Sequence, residues 1–155
     1  MQAISDFRNQ QRELKLRWRM KAPNEPSNQA EQAIAEFYQC GVSKSDLVER
    51  LSSEIVHIPM DGSPIVDEQG NASEGTSLCL PKPSGQRYLV LVTSFPMFAP
   101  LVEEFPQYSQ TFVNYTLETV LVHTSPEYGF VVNPKTAFEF EISPRDAAVL
   151  RERYA

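Results

Sequence analysis

Apolar positions along the chain alternate between two periods, and each change of period marks a change of element. Ala30, Ala33, Ile34, Phe37 and Tyr38 recur at i, i+3, i+4, i+7 and i+8, which places them on one face of a helix. Ser27 or Asn28 precedes that run as a cap, and Gly41 stops it. Cys40 falls close to the apolar stripe and reads as a buried, inert thiol. Ser43 and Asp46 have capping-box spacing ahead of Leu47, Val48 and Leu51, so a short second helix follows. Ile55 to Met60 reads as a strand. Thr76 to Leu80 and Arg87 to Thr93, joined by a Pro- and Gly-containing turn, read as a hairpin.

Beyond the hairpin, Ser94 opens a helix containing Phe98, Leu101 and Val102, with Pro96 and Pro100 blurring its start. Thr111 to Tyr115 is an expected strand, and Leu117, Val120 and Leu121 share one face of a short helix. The run Phe130 to Val132 ends at the turn signal Asn133-Pro134. Ala137 to Ile142 alternates Phe138, Phe140 and Ile142 with Glu139 and Glu141, a strand with one acidic face. Ser143, Pro144 and Asp146 then supply cap, first-turn proline and N3 acid for a last helix. The order is that of an α+β domain: one mixed sheet of about five or six strands with helices packed against it.

The first 21 residues differ from the rest. Ile4, Phe7, Leu14 and Trp18 form a helical stripe beside Arg8, Arg12, Lys15 and Arg19, so a basic amphipathic N-terminal helix is expected. A competing period exists locally, because Leu14, Leu16, Trp18 and Met20 alternate with Lys15, Arg17, Arg19 and Lys21 as in a half-exposed strand. Prolines 23 and 26 make a hinge. The expected organisation is an arm and hinge at 1–26 and one domain at 27–155.

Charge sharpens that division. Residues 1–21 hold six basic against two acidic side chains, a net +4, while the remainder holds eight against eighteen, a net −10. An acidic body argues against nucleic acid, whose phosphates are met by Lys and Arg. The arm could pack on its own body or dock elsewhere, on the acidic body of a second copy to give a homodimer, on an anionic lipid surface or on nucleic acid, and an unidentified protein partner is expected for the whole. No apolar run approaches the roughly 20 residues of a membrane span. The 155 residues carry two cysteines, Cys40 and Cys79, in no zinc-ligand spacing, and the N-terminus has no secretion pattern. A reducing cytoplasm and an absence of metal and cofactor are the expectations. The acids of the stretch 61–75 lack the alternation of a calcium loop, so it reads as a solvated loop.

The segments YLVLVTSFPMF, YGFVVNPKTAFEFEIS and SPRDAAVL resemble the N-terminal domain of the SseB (enhanced serine sensitivity) family of bacterial proteins. The resemblance covers about residues 28–155. It implies a small mixed α/β domain with no established chemistry or cofactor.

No catalytic motif stands out. His57 sits in the first strand and points to its more polar side, and His123 closes a helix where an imidazolium suits the negative end of the dipole. Thr93 and Ser94, at the end of a strand before a helix, read first as an ordinary N-cap, and are the best small-ligand position the sequence offers if it has one. Asn133 reads first as a turn, and as an exposed recognition corner beside Tyr128 and Phe138 if it has a binding role. With Arg8, Arg12 and Trp18 of the arm, these form the expected interaction surface. The functional expectation is a non-enzymatic bacterial protein-binding module. The alternative is a small-molecule-binding or hydrolytic domain built at the end of strand 87–93.

Overall fold

The computed structural model of the chain describes residues 23–62 and 77–154. The expected basic helix at 3–21, with Arg8, Arg12 and Trp18, lies outside the described residues, as does most of the acidic loop at 61–75.

Helix α1, Gln29–Cys40, starts where the Asn28 side chain accepts the Glu31 amide at 2.9 Å. It stops at Gly41, whose φ of 68° lets its N–H return to the Phe37 carbonyl. Ala30, Ala33 and Ile34 are buried, whereas Cys40 is exposed. The thiol has the direction of the buried stripe but stands on the last helical position, where the helix has run past the core and even Phe37 is half-buried. Helix α2, Lys44–Leu51, is capped by Ser43 and buries Leu47, Val48 and Leu51.

Strand β1, Ile55–Met60, pairs antiparallel with β4, Thr111–Thr116, in the register Ile55 to Thr116 through Met60 to Thr111. The expected hairpin forms from β2, Cys79–Pro81, and β3, Arg87–Leu91. Strand β3 runs parallel to β5, Gly129–Val132, which pairs antiparallel with β6, Phe140–Ile142. The class is α+β as expected. The strands, however, divide into a sheet ordered β2-β3-β5-β6 and a two-stranded β1-β4 ribbon. Single bridges, His57 to Val92 and Met60 to Ser77, join the two. After Val92 the pairing with β1 is not continued; the Thr93 N–H and carbonyl, on the opposite edge of the strand from His57, go to Asn133 Oδ1 and Asn28 Nδ2.

Helix α3, Leu117–His123, is capped by the Thr116 hydroxyl, and helix α4, Pro144–Tyr154, begins at Ser143, whose hydroxyl accepts the Asp146 amide. Two expectations are corrected. Phe95–Leu101 is a 3-10 helix rather than an α-helix, since Pro100, inside it, lacks the amide proton an α-helix would donate to the carbonyl four residues earlier. The last strand is shorter than 137–142, because Asn133 and Lys135 adopt positive φ (50° and 62°) and the loop they shape consumes residues up to Glu139. Leu91, Met97, Phe98, Leu117, Leu121, Phe130 and Ile142 fill one core shared by both sheets and the helices.

Candidate functional site

At the C-terminal end of β3 the polar groups close on one another. Asn133 Oδ1 accepts the Thr93 amide at 3.0 Å, and Asn133 Nδ2 donates to Thr93 Oγ1 at 3.0 Å and to the Phe138 carbonyl at 3.3 Å. The Thr93 hydroxyl donates onward to Glu31 Oε2 at 2.8 Å. Glu31 Oε1 accepts from the Ser27 amide and hydroxyl at 3.0 and 2.8 Å. Thr93, Asn133 and Glu31 are all buried. Neutral donors and the first turn of α1 surround this carboxylate, an arrangement that suits a buried acid because each oxygen has a partner. The knot ties the entry of α1 to the ends of β3 and β5. Its groups are spent on one another, so its role is to hold the fold.

This placement corrects two expectations about the site. Thr93 offers no free hydroxyl to a ligand. Asn133 and Phe138, which the recognition-corner reading placed at the surface, are buried: the positive φ at Asn133 turns its amide inward, and Phe138 joins Phe140 and Ile142 in the core as its alternation implied. The Ser94 hydroxyl is enclosed and, among the described residues, makes no hydrogen bond. Nor does it cap the following 3-10 helix.

The ribbon presents two unlike faces. Its register puts Ile55, His57, Phe112 and Asn114 on one side, where the His57 ring lies 4.8 Å from that of Phe95 and Phe95 lies 5.0 Å from Phe112. His57 Nδ1 meets Asn114 Oδ1, which gives the imidazole the polar neighbour that strand alternation implied. Phe95 is 48% exposed and Ile55 47%. Among the described residues β4 pairs on one side alone, with β1, leaving its outer edge free. The opposite face of the ribbon, with Ile58 and Val113, turns toward β3 and α3 across a cavity of about 570 Å³.

Sequence reasoning kept Cys79, His123 and Tyr128 apart, yet all three line that cavity. Burial pushes the Cys79 thiol pKa up, with the nearby Arg87 charge opposing it. Neither Thr93 nor Ser94 lines this space. No local signal announces such a meeting, since the three residues come from a strand, a helix end and a loop. Glu31 was also missed; only its position three residues after Asn28 hinted that it belonged to a cap. Among the described residues, no group of three or more His, Cys, Asp or Glu is placed to hold a metal ion. No helix among them is long and apolar enough to cross a membrane.

The family model of the SseB protein N-terminal domain matches residues 30–148. The chain belongs to the SseB family. The matched span takes in every strand among the described residues and the Glu31–Thr93–Asn133 contacts, while Ser27, Asn28 and everything before them precede it. No curated protein and no solved structure matches the chain. The TS and NP signatures that carry the SseB resemblance are therefore, in this chain, the two halves of one hydrogen-bonded joint.

Proposed function

We propose that this SseB domain is a bacterial protein-binding module rather than an enzyme, that its docking element is the outer edge of β4, and that a second copy's arm occupies it. The observation that carries the reading is the free six-residue outer edge of β4, a strand that exposes Tyr115 and adjoins a ribbon face carrying exposed Phe95 and Ile55. An edge strand offers unpaired amides and carbonyls to an extended segment, and alternate side chains set specificity. Neither β1 nor β4 contains a lysine or arginine, and Glu54, Asp61 and Glu118 flank the ribbon's ends. An occupant with alternating apolar and basic residues complements that edge. Residues 14–21 have that alternation, with Leu14, Leu16, Trp18 and Met20 between Lys15, Arg17, Arg19 and Lys21. The commitment of Thr93 and Asn133 to the internal knot also favours binding over hydrolysis at the strand end. Two free thiols accord with action in a reducing cytoplasm.

Trp18 is the chain's single tryptophan, so its emission reports the arm directly. The full chain is expected to show a blue shift that grows with protein concentration, accompanies a dimer in light scattering and fades in high salt. Phe95→Lys should suppress it by placing a positive charge on the ribbon face beside Phe112 of β4. Emission of a solvent-exposed indole at every concentration would overturn the arm as occupant. A blue shift independent of concentration in a monomer would overturn the second copy in favour of the chain's own edge.

A further inference from the structure

The cavity behind the ribbon is separate from the free edge of β4 and has its own chemistry. Ile58, Leu89, Val113 and Val120 supply apolar walls from β1, β3, β4 and α3. Its volume of about 570 Å³ lies inside the range of roughly 300–1,000 Å³ typical of small-molecule sites. The polar groups at its wall include the Cys79 thiol, the His123 imidazole and the Tyr128 hydroxyl, and none of these makes a hydrogen bond among the described residues. Among the described residues, no aspartate, glutamate, lysine or arginine lines it. This composition differs from that of the Thr93 knot, where every hydrogen-bonding group is consumed.

We infer that this cavity binds an uncharged, mainly apolar small molecule carrying one or two hydrogen-bonding groups, which meet His123 and Tyr128 while its body lies against Ile58, Leu89 and Val113. A charged ligand would lose its hydration against walls that hold no fixed counter-charge, a penalty that a neutral molecule avoids. An unbranched apolar ligand without polar groups would leave the imidazole and phenol unpaired on closing the cavity, so a polar handle is favoured over a pure hydrocarbon. Cys79 reports on occupancy: it lines the cavity beside its register partner Leu89, so an occupant is expected to screen its thiol from reagents.

The test uses the full chain with Cys40→Ser, leaving Cys79 as its single thiol, and the uncharged fluorophore N-phenyl-1-naphthylamine, which has an apolar body and one N–H. Saturable fluorescence enhancement at one probe per chain is expected, together with at least a tenfold slowing of Cys79 alkylation by N-ethylmaleimide at saturation. Val113→Trp, which fills the cavity from β4, should weaken binding at least tenfold, and circular dichroism should verify that this variant remains folded. Ser125→Trp provides a second filling variant from the loop after α3 should the first fail to fold. At pH 8, 8-anilinonaphthalene-1-sulfonate, a similar body bearing a sulfonate, should bind at least tenfold more weakly. The inference is overturned if the neutral probe does not saturate, if folded filling variants bind it as wild type does, or if Cys79 reacts at one rate with and without it. Equal affinity for the sulfonate would overturn the uncharged-ligand assignment. None of these readouts depends on the arm or on dimerisation, so the result stands apart from the edge-strand reading.

Discussion

The Asn133 side chain holds Thr93 at two points, taking its amide proton on Oδ1 and giving an amide proton to its hydroxyl, each at 3.0 Å. A side-chain amide that both accepts and donates to one residue imitates a strand partner. It therefore continues the hydrogen bonding of β3 by one residue after Leu91 and Val132 cease to pair as regular strand. Because Asn133 also sits at φ 50°, two properties are required at that position: a short amide and tolerance of left-handed backbone. Asparagine is the residue that combines them.

These two requirements separate by substitution. Asn133→Gly keeps the backbone conformation but leaves the Thr93 amide and Phe138 carbonyl without their buried partner, an expected loss of about 2–4 kcal/mol. Asn133→Ala should lose about 1 kcal/mol more, because alanine resists positive φ. Urea unfolding of the two variants and the wild type measures both quantities. Equal stability of the glycine and alanine variants would show that the backbone conformation carries no cost there.

The same joint shows what a single sequence conveys. Asn28, Ser43, Thr116 and Ser143 each act on an amide three residues away, so the helix starts are local and their spacing revealed three of them directly. Asn133-Pro134 was recognisable as a turn, but the partner of its side chain lies 40 residues earlier, and no periodicity records that pairing. Strand alternation placed Phe138 with Phe140 and Ile142. It did so because a period of two runs back from Ile142 through Phe140 to Phe138, whereas the chain at Phe138 still follows the positive-φ loop. The split into ribbon and sheet was hidden for a related reason: β1 pairs along its length with β4 and keeps a single bridge to β3, at His57 and Val92, a choice between distant strands that no local pattern records. The cavity gathers side chains from separate elements, so its chemistry emerges only when the fold is assembled.

Gly129 is required by contact rather than by conformation. A Cβ built there would lie 2.8 Å from the Ile142 carbonyl oxygen and 2.9 Å from Cζ of Tyr88. Tyr88 is its register partner on β3, and the phenol ring lies across the space a side chain would need. Gly129→Ala should destabilise the domain by about 1–3 kcal/mol, the range for overpacking a filled interior. Adding Tyr88→Leu should recover part of that loss and leave the rest, since a backbone carbonyl cannot rotate away as a ring can. A double-mutant cycle by urea unfolding tests this, and full recovery would mean that the Ile142 carbonyl gives way without cost.

The ring that lies over Gly129 also supports a charge. Lys82 Nζ stands 4.9 Å from the Tyr88 ring centre and pairs with Glu141 on β6, so one lysine spans the face of the four-stranded sheet. The hydrogen bond to Glu141 is the main reason the Lys82 pKa is raised, with its partial burial opposing. A lysine whose pKa is higher in the folded chain contributes stability that is fully present below its unfolded value, near 10.5, and that declines as pH rises through the folded value. The pair is 35% and 40% exposed at its side chains, so water and salt screen it and at most about 1 kcal/mol is expected. Lys82→Met should therefore differ from wild type by no more than that at pH 8, with the gap narrowing above pH 10.5 and in concentrated salt. Urea unfolding at pH 8 and pH 11 measures the gap. A difference that persists undiminished at the higher pH would assign the contribution of Lys82 to the packing of its stem on Tyr88 rather than to its charge.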